Sequence, residues 1–550
     1  MLVYGDVETT RDAAVFRAEI VAALASLATQ PPGLDRHSAL VTAFLDAGDL
    51  VGALIDRDAP HELSTAATTG MAALTALARA VDLSWRSDFV ALDDLPIDLL
   101  NSLPATGTIR IKPAEGYAFY GLYPESYAET ARRSGLPPET RVIGIRSMGT
   151  TLAAMVAAGL HAAPPVTVRP VGHPFDRHLE PGPALADAIL AGDPPAFAIV
   201  DEGPGLSGSS FTAVMDWLAG NGIPPGRIHL FPSHANGPGA QASEARRRQW
   251  QAARKHLVSF DELIAPRLER WVADLVGPLD APLSDLSGGQ WQGLAGSTAP
   301  VAPSWEKRKY LAETGAGRWL VKFAGLGSIA TRKLDLATRL HAAGFAPEPA
   351  GLCYGFLVER WIAAPSLADA QLPMTSLMPQ LAAYPALRAT LAAPSDAGAT
   401  PERLTEMATY NTAQALGDVA GAAMSRRLAR SPSVLRRVWV DARLHPWEWL
   451  IDGDRLIKTD ALDHALAHDF IGCQPIEWDL AGAIVEHGLA AEAMTTTFEA
   501  ASGQAVDRSL LDFMTCCYLA FQLGAWTMAT GRDAPITRRY RERLAEELGV

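Results

Sequence analysis

AFAIVDEGPGLSGSSFTAVMDWLAG (196–220) decides the fold of the first half of this chain. Ala196 to Val200 are five apolar residues in a row, the pattern of a strand buried on both faces. They run into the acidic pair Asp201-Glu202 and a loop of glycine and serine, after which Phe211 to Gly220 has helical spacing. RVIGIRS (141–147) reads as an earlier strand, MGTT as a turn and LAAMVAAGL (152–160) as a helix. VTVRPVG (166–172), ALADAILAG (184–192) and RIHLFPSH (227–234) continue the alternation. Strands alternating with helices of this length predict a parallel sheet, whose ligands sit beyond the carboxyl ends of the strands.

The residues at that end carry chemistry. A glycine-rich turn entering a helix offers unpaired backbone N–H groups and the positive end of the helix dipole, which suit a phosphate. Ser207, Ser209 and Ser210 add hydroxyls, and two carboxylates before the loop suit sugar hydroxyls or a hydrated Mg²⁺. This order resembles the binding motif for phosphoribosyl diphosphate (PRPP) in type I phosphoribosyltransferases. The resemblance covers roughly residues 105–235 and implies an α/β fold, a flavodoxin-like parallel sheet of phosphoribosyltransferase type. By it, Asp201 and Glu202 are the catalytic and metal-binding pair on the ribose. Gly203, Gly205, Leu206, Ser207, Gly208 and Ser209 hold the 5-phosphate, with Gly208 arriving one residue later than the family's usual glycine. Arg146, Ser147, Met148 and Gly149, in the earlier strand-to-helix turn, correspond to the pyrophosphate loop. RPVGHPFDRH (169–178) corresponds to a flexible loop that closes over the site, bringing Arg169, His173 and Arg177 to the leaving group. Tyr117, Phe119 and Tyr120 either wall the acceptor pocket or line the core beneath it.

Composition bounds the rest. The 550 residues predict two or three domains, and 48% hydrophobic with 20% charged residues is a globular balance. Lys plus Arg number 47 against 61 Asp plus Glu, a net charge of −14, so general nucleic-acid binding is not expected. Only seven of the 47 cations are lysines, so a well-placed lysine carries information. The basic run RRRQWQAARK (246–255) within 237–276 reads as the solvated face of a long helix. Four cysteines without metal-ligand spacing, and a first segment without a basic-then-apolar leader, point to a cytoplasmic protein away from membranes. A homodimer is the oligomeric option. The expected division is a helical cap over 1–105, the parallel-sheet domain over 106–276, a Gly/Pro/Ser-rich linker over 277–304, and a second domain over 305–550. LSGGQ (286–290) matches a transporter-ATPase sequence, but no G-x-x-x-x-G-K-[ST] loop accompanies it.

The second domain opens with the hairpin WEKRKYLAETGAGRWLVKFAG (305–325) and places Lys322 on a strand. GFLVERW (355–361) reads as a later strand, and RLHPWEWLIDGDRLIKTDALDH (443–464) contains a hairpin at Asp452-Gly453. This order, with Asp479-Leu480-Ala481 beyond it, resembles the aminoglycoside-phosphotransferase and choline-kinase branch of the protein-kinase-like fold. The resemblance implies a two-lobed α+β domain over about 305–485, with Lys322 on nucleotide phosphates, Asp460 on Mg²⁺, and ATP as ligand. Leu444-His445-Pro446 matches the family's catalytic loop, but its aspartate position falls on Arg443 and its asparagine position on Glu448. Arginine accepts no proton, so Asp441 and Glu448 are the nearest acids left for the chemistry. His464, His468 and Asp469 form a further metal option beside Asp460.

The function expected from these readings is Mg²⁺-dependent transfer of ribose 5-phosphate from PRPP to an unidentified small acceptor, beside a degenerate nucleotide-binding domain. The alternatives are a non-catalytic nucleotide or PRPP sensor, and a small-molecule phosphotransferase using the carboxyl-terminal domain.

Overall fold

The computed structural model of the protein describes residues 1–2, 8–112, 114–303, 306–370, 374–394, 397–429, 435–465, 467 and 471–550. His468 and Asp469 lie outside them.

Five parallel strands make the first sheet: Arg141–Ile145, Val166–Val168, Phe197–Val200, Ile228–Phe231 and Arg254–Lys255. Counted along the chain, their order across the sheet is 2-1-3-4-5, the flavodoxin-like order. The winding reverses between Arg141–Ile145 and Phe197–Val200, so the turns that follow these two strands diverge to opposite faces and open a crevice. The edge strand departs from expectation. Residues 237–276 are not one helix but Glu244–Ala252, the strand Arg254–Lys255, then Phe260–Leu263 and Ala265–Val276. A two-residue basic strand has no periodicity to read. After Val166–Val168 the chain forms the antiparallel hairpin Val171–His173 and Asp176–His178.

Three long helices, Ala13–Leu27, Leu34–Asp58 and Thr65–Arg86, cover one face. Asp12 caps the first through the Val15 N–H and Ser64 the third through the Ala67 N–H, satisfying amides that would otherwise lack partners. Thr9–Asp12 pairs with Thr108–Ile111 and ties the start of this layer to its end. The helix Gly149–Leu160 packs against the sheet on one side and Thr65–Arg86 on another, and all 12 of its residues are buried. This explains its alanine and glycine content: a Cβ on Gly159 would overlap the Ala128 carbonyl. Leu34–Asp58 is long and apolar enough to cross a membrane by length and composition, and 67% of that window is buried inside the fold, as a core helix would be.

The second half has two lobes. An antiparallel sheet runs Ser284–Asp285, Lys309–Thr314, Gly317–Phe323, Phe356–Arg360, Pro349–Cys353, with the helix Ser328–Ala342 packed on it. The 277–304 stretch is therefore more than a tether: it supplies the edge strand and the short helix Trp291–Ala295. Beyond Arg360 the chain is mainly helical, interrupted by the hairpin Trp449–Asp452 and Arg455–Lys458. The core does not respect the boundary between halves. One continuous cluster joins Phe44 and Leu74 of the helical layer, Leu152 and Val200 of the parallel-sheet region, and Phe323, Tyr354 and Phe356 of the antiparallel sheet. The helical lobe has its own core around Trp449, Trp478 and Tyr518.

Two candidate functional sites

The crevice beyond the parallel sheet is a cavity of about 970 Å³. Asp201 and Glu202 leave Phe197–Val200 at its floor, and the loop to Ser210 forms one wall. Gly205 and Gly208 have φ of 57° and 69°, left-handed values that cost a residue with a Cβ about 1 kcal/mol or more. These turns aim the loop back at the helix Ser209–Gly220, whose N-cap Gly208 offers no side chain. The hydroxyls are organised: Ser207 Oγ donates to Ser209 Oγ at 2.9 Å, and Ser209 Oγ to the Pro174 carbonyl at 3.0 Å. Pro174 belongs to the 171–178 hairpin, and Arg177 from the same hairpin donates to Ser210 Oγ at 2.7 Å. The hairpin thus lies over the loop. His173 is exposed at its tip beside Phe175.

The two glycine turns meet at Asp201. The Glu202 amide, Arg177 and Arg169, and last the amide of Gly149, where the second turn enters its helix, favour its ionised form. Burial dominates its titration and pushes it up to about 7; Glu202, buried beside Asp201 and Glu115, is pushed up to about 8. Two acids held partly protonated without a ligand suit a site that receives a cation or a hydroxyl-bearing sugar. Gly149 can approach because it lacks a side chain: a Cβ there would overlap the Val200 carbonyl. Gly149→Ala is expected to push against the strand end at Val200 and lose about 1–3 kcal/mol of stability, read by thermal unfolding with ligand titration alongside.

Other residues singled out from the sequence are placed differently. Arg146 is 5% exposed, and its guanidinium bonds Asp56 at 2.9 Å, the Thr167 carbonyl at 3.0 Å and the Pro60 carbonyl. Arg169 also pairs with Asp56 (2.8 Å), and with Ser147 it lines a separate cavity of about 370 Å³. Arg146 of the expected pyrophosphate loop and Arg169 of the expected flexible loop are thus occupied by the helical layer, and Met148 is buried. Tyr117 and Phe119 are buried at 2% and 7% exposure, Tyr117 bonding Thr151. They line the core. Tyr120, 54% exposed, is the one of the three on the cavity wall. Sequence reasoning missed Arg308, His234 and Phe260, which also line the cavity but come from segments remote in the chain.

The second site is the cleft between the lobes, about 400 Å³. Lys322, inward-facing on Gly317–Phe323, pairs with Asp460 and, at 2.6 Å, with Asp463. Asp463 also holds Lys307 (2.7 Å) and Lys333 (2.6 Å). Burial opposes the charge on Asp460 and Asp463, yet the lysines keep both carboxyls well below their ordinary range. Five of the seven lysines, counting Lys309 and Lys458, line this cleft or bind its acids. Arg443 pairs with Glu448 at 3.1 Å and Lys458 with Glu448 at 3.0 Å.

Asp441 is fully enclosed. Lys458 lies 3.5 Å away, Arg388 3.4 Å, and Tyr384 donates to it; burial opposes its charge, but these cations and His464 hold it ionised. Asp479 accepts the N–H groups of Asp441 and Ala442 at 2.8 and 2.9 Å, which fixes Ala442 in a left-handed conformation (φ 67°). His445 is buried against Trp447 and bonds Glu486. Neither Asp441 nor His445 lines the cleft. Glu448, Asp460 and His464 bring one ligand atom each within 4.8 Å of one another, a set of oxygens and one imidazole that fits a divalent cation.

No family model matches the chain, and no curated protein matches it. Solved structures similar to about half of it include a macrolide 2'-phosphotransferase type I (13% identity, 51% of this chain and 96% of that one, TM-score 0.34). Spectinomycin phosphotransferase in complex with ADP and its antibiotic is similar at 14% identity, 51% and 94% coverage and TM-score 0.34. A choline kinase from Streptococcus pneumoniae is similar at 16% identity, 44% and 89% coverage and TM-score 0.31.

Proposed function

We propose that this chain is a transferase of phosphorylated small molecules, with a sugar-phosphate site in the parallel-sheet crevice and a nucleotide site between the lobes. The observation that carries the first site is the acidic pair Asp201-Glu202 and the loop after it lining one cavity beyond the carboxyl end of the strand Phe197–Val200. It places an acidic pair and a glycine-rich helix entry in one crevice, where a phosphorylated pentose needs hydroxyl acceptors and phosphate donors together. In the PRPP reading, a nucleophile bonds to the anomeric carbon as the bond from that carbon to the diphosphate oxygen breaks, and pyrophosphate leaves with the bonding pair. Positioning and charge compensation carry such a reaction, so no general base is required of the chain. Asp201 and Glu202 would hold the ribose and Mg²⁺, which would neutralise diphosphate charge. The amides and hydroxyls of 203–210 would hold the 5-phosphate, and the 171–178 hairpin would cover it against water. Arg146 and Arg169 do not reach the crevice while Asp56 holds them.

The test is calorimetric titration of PRPP with Mg²⁺ into wild type and Asp201→Asn. Micromolar binding (Kd ~10⁻⁶ M, about −8 kcal/mol) that weakens at least a hundredfold in the variant is the expected result; no heat in wild type refutes the site.

A second reading, phosphoryl transfer from ATP in the cleft, is favoured by one observation: Lys322, Asp460 and Glu448 converge there with the geometry for phosphate and metal. Against it, Arg443 stands where a proton acceptor is needed, and Asp441 is sealed behind Lys458, Arg388 and Tyr384. ATP turnover abolished by Asp460→Ala and untouched by Asp201→Asn would select phosphotransfer over the ribosyl reaction.

A further inference from the structure

The 970 Å³ cavity is larger than a phosphorylated pentose needs, and the wall facing the phosphate loop does not belong to the parallel-sheet domain alone. Tyr120 projects from one side of it, more than half exposed. Beside it, against Gly121, stands Arg308, which enters from the segment leading to the antiparallel sheet of the second half. Its guanidinium carbon lies 4.1 Å from the centre of the Phe260 ring, and one Nη donates to Asp261 at 3.0 Å. Ring and carboxylate fix the plane of the guanidinium before any ligand arrives. Asp261 is 70% exposed, so its ion pair with Arg308 is worth only a few tenths of a kcal/mol and does not hold the cation against a competing carboxylate. The lining also carries three carboxylates, those of Glu115, Asp201 and Glu202. An acidic ligand would be repelled by these and drawn to Arg308, which orients it with its far end toward the sugar site.

We propose that Arg308 is a specificity-determining residue that selects an acidic acceptor, a small planar molecule carrying a carboxylate, which lies against Tyr120 and presents its nucleophile to the sugar-phosphate site. The assignment of this molecule as an acceptor rests on the sugar-phosphate reading; the anion preference does not. The planar fork of arginine pairs two N–H groups with a carboxylate, a match that neither an amide nor a lysine reproduces. The second half therefore completes the ligand site of the first.

Nicotinate and nicotinamide have the same ring and differ in charge, which makes them suitable probes. Each is titrated into the full chain by calorimetry, with and without PRPP and Mg²⁺, for wild type, Arg308→Gln and Arg308→Lys. Wild type is expected to bind the acid at least tenfold more tightly than the amide. Arg308→Gln should bring the two within twofold while PRPP affinity and thermal unfolding stay as in wild type, and Arg308→Lys should recover part of the difference. Equal binding of the two probes, no binding of either at millimolar concentration, or discrimination that survives Arg308→Gln overturns the proposal. Failure of the sugar-phosphate reading looks different: no heat from PRPP, with the preference for the acid intact.

Discussion

Replacing both crevice acids, as Asp201→Asn with Glu202→Gln, should make the protein more stable and ligand-blind at once. Burial raises both carboxyls, Asp201 to about 7 and Glu202 to about 8, from ordinary values near 4. A carboxyl raised by folding favours the folded state when protonated. That contribution is complete below pH ~4 and is lost as the pH rises through 7 and 8. At pH 8.5 the wild type carries two ionised, crowded acids, and the amides do not. Both substitutes match the acids they replace in shape and keep one accepting oxygen. The pair faces a solvent-filled cavity, so the gain is discounted to on the order of 2–4 kcal/mol. The melting temperature of the double variant should exceed wild type by several degrees at pH 8.5, and the gap should close by pH 4. PRPP with Mg²⁺ should reverse the order, because binding at 1,000 Kd adds about 4.1 kcal/mol to wild type alone. Thermal unfolding at three pH values, with and without ligand, decides it. A variant that melts below wild type at pH 8.5 means the acids support the fold rather than burden it, which is characteristic of structural carboxylates and not of a binding site.

What the sequence made legible follows the range of the interactions involved. Phe197–Val200 is apolar throughout, and Ile228–Phe231 is so except for His229, because central parallel strands are buried on both faces, a signal confined to four or five residues. The hairpin at Asp452-Gly453 and the turn after Thr314 announce themselves through glycine for the same reason. Arg308 could not be found that way. Its role depends on Phe260 and on a cavity wall nearly 200 residues earlier, and nothing in its neighbours on the chain marks it. Arg146 illustrates the opposite failure: the strand-to-helix turn was readable, but Asp56, from a helix 90 residues away, claims its guanidinium. The pairing of Arg443 with Glu448 is intermediate. The two substitutions were visible in the sequence, and only the structure joins them into one ion pair on the wall of the cleft.

Glu125 supplies the second large effect. It is completely buried in the first turn of the helix Pro124–Ser134, where the helix dipole favours a carboxylate. His37 Nε2, from the helix Leu34–Asp58, lies 3.0 Å from Glu125 Oε1, while His37 Nδ1 lies 3.0 Å from Ser84. The Tyr354 hydroxyl, from the antiparallel sheet of the second half, donates to the same oxygen. Helical layer, parallel-sheet domain and antiparallel sheet therefore meet on one carboxylate, inside a cage formed by Trp85, Phe89, Trp271 and Tyr354 around His37. Glu125→Ala removes the shared partner and leaves His37 Nε2 and the Tyr354 hydroxyl without it in a buried junction. The expected loss is about 3–5 kcal/mol. Glu125→Gln retains an acceptor oxygen and should lose less than half as much. Denaturant unfolding measures both, and Glu125→Ala within 1 kcal/mol of wild type would mean the halves are joined by apolar packing alone. The consequence reaches the ligand site, because Tyr123, Ser126 and Tyr127 on either side of Glu125 line the large cavity, and Tyr123 donates to the Tyr354 carbonyl at 2.7 Å. Loosening this junction lets the wall that carries Arg308 drift from the wall that carries Asp201. Discrimination between nicotinate and nicotinamide should therefore weaken in Glu125→Ala under conditions where the protein is still folded, while Glu125→Gln preserves it.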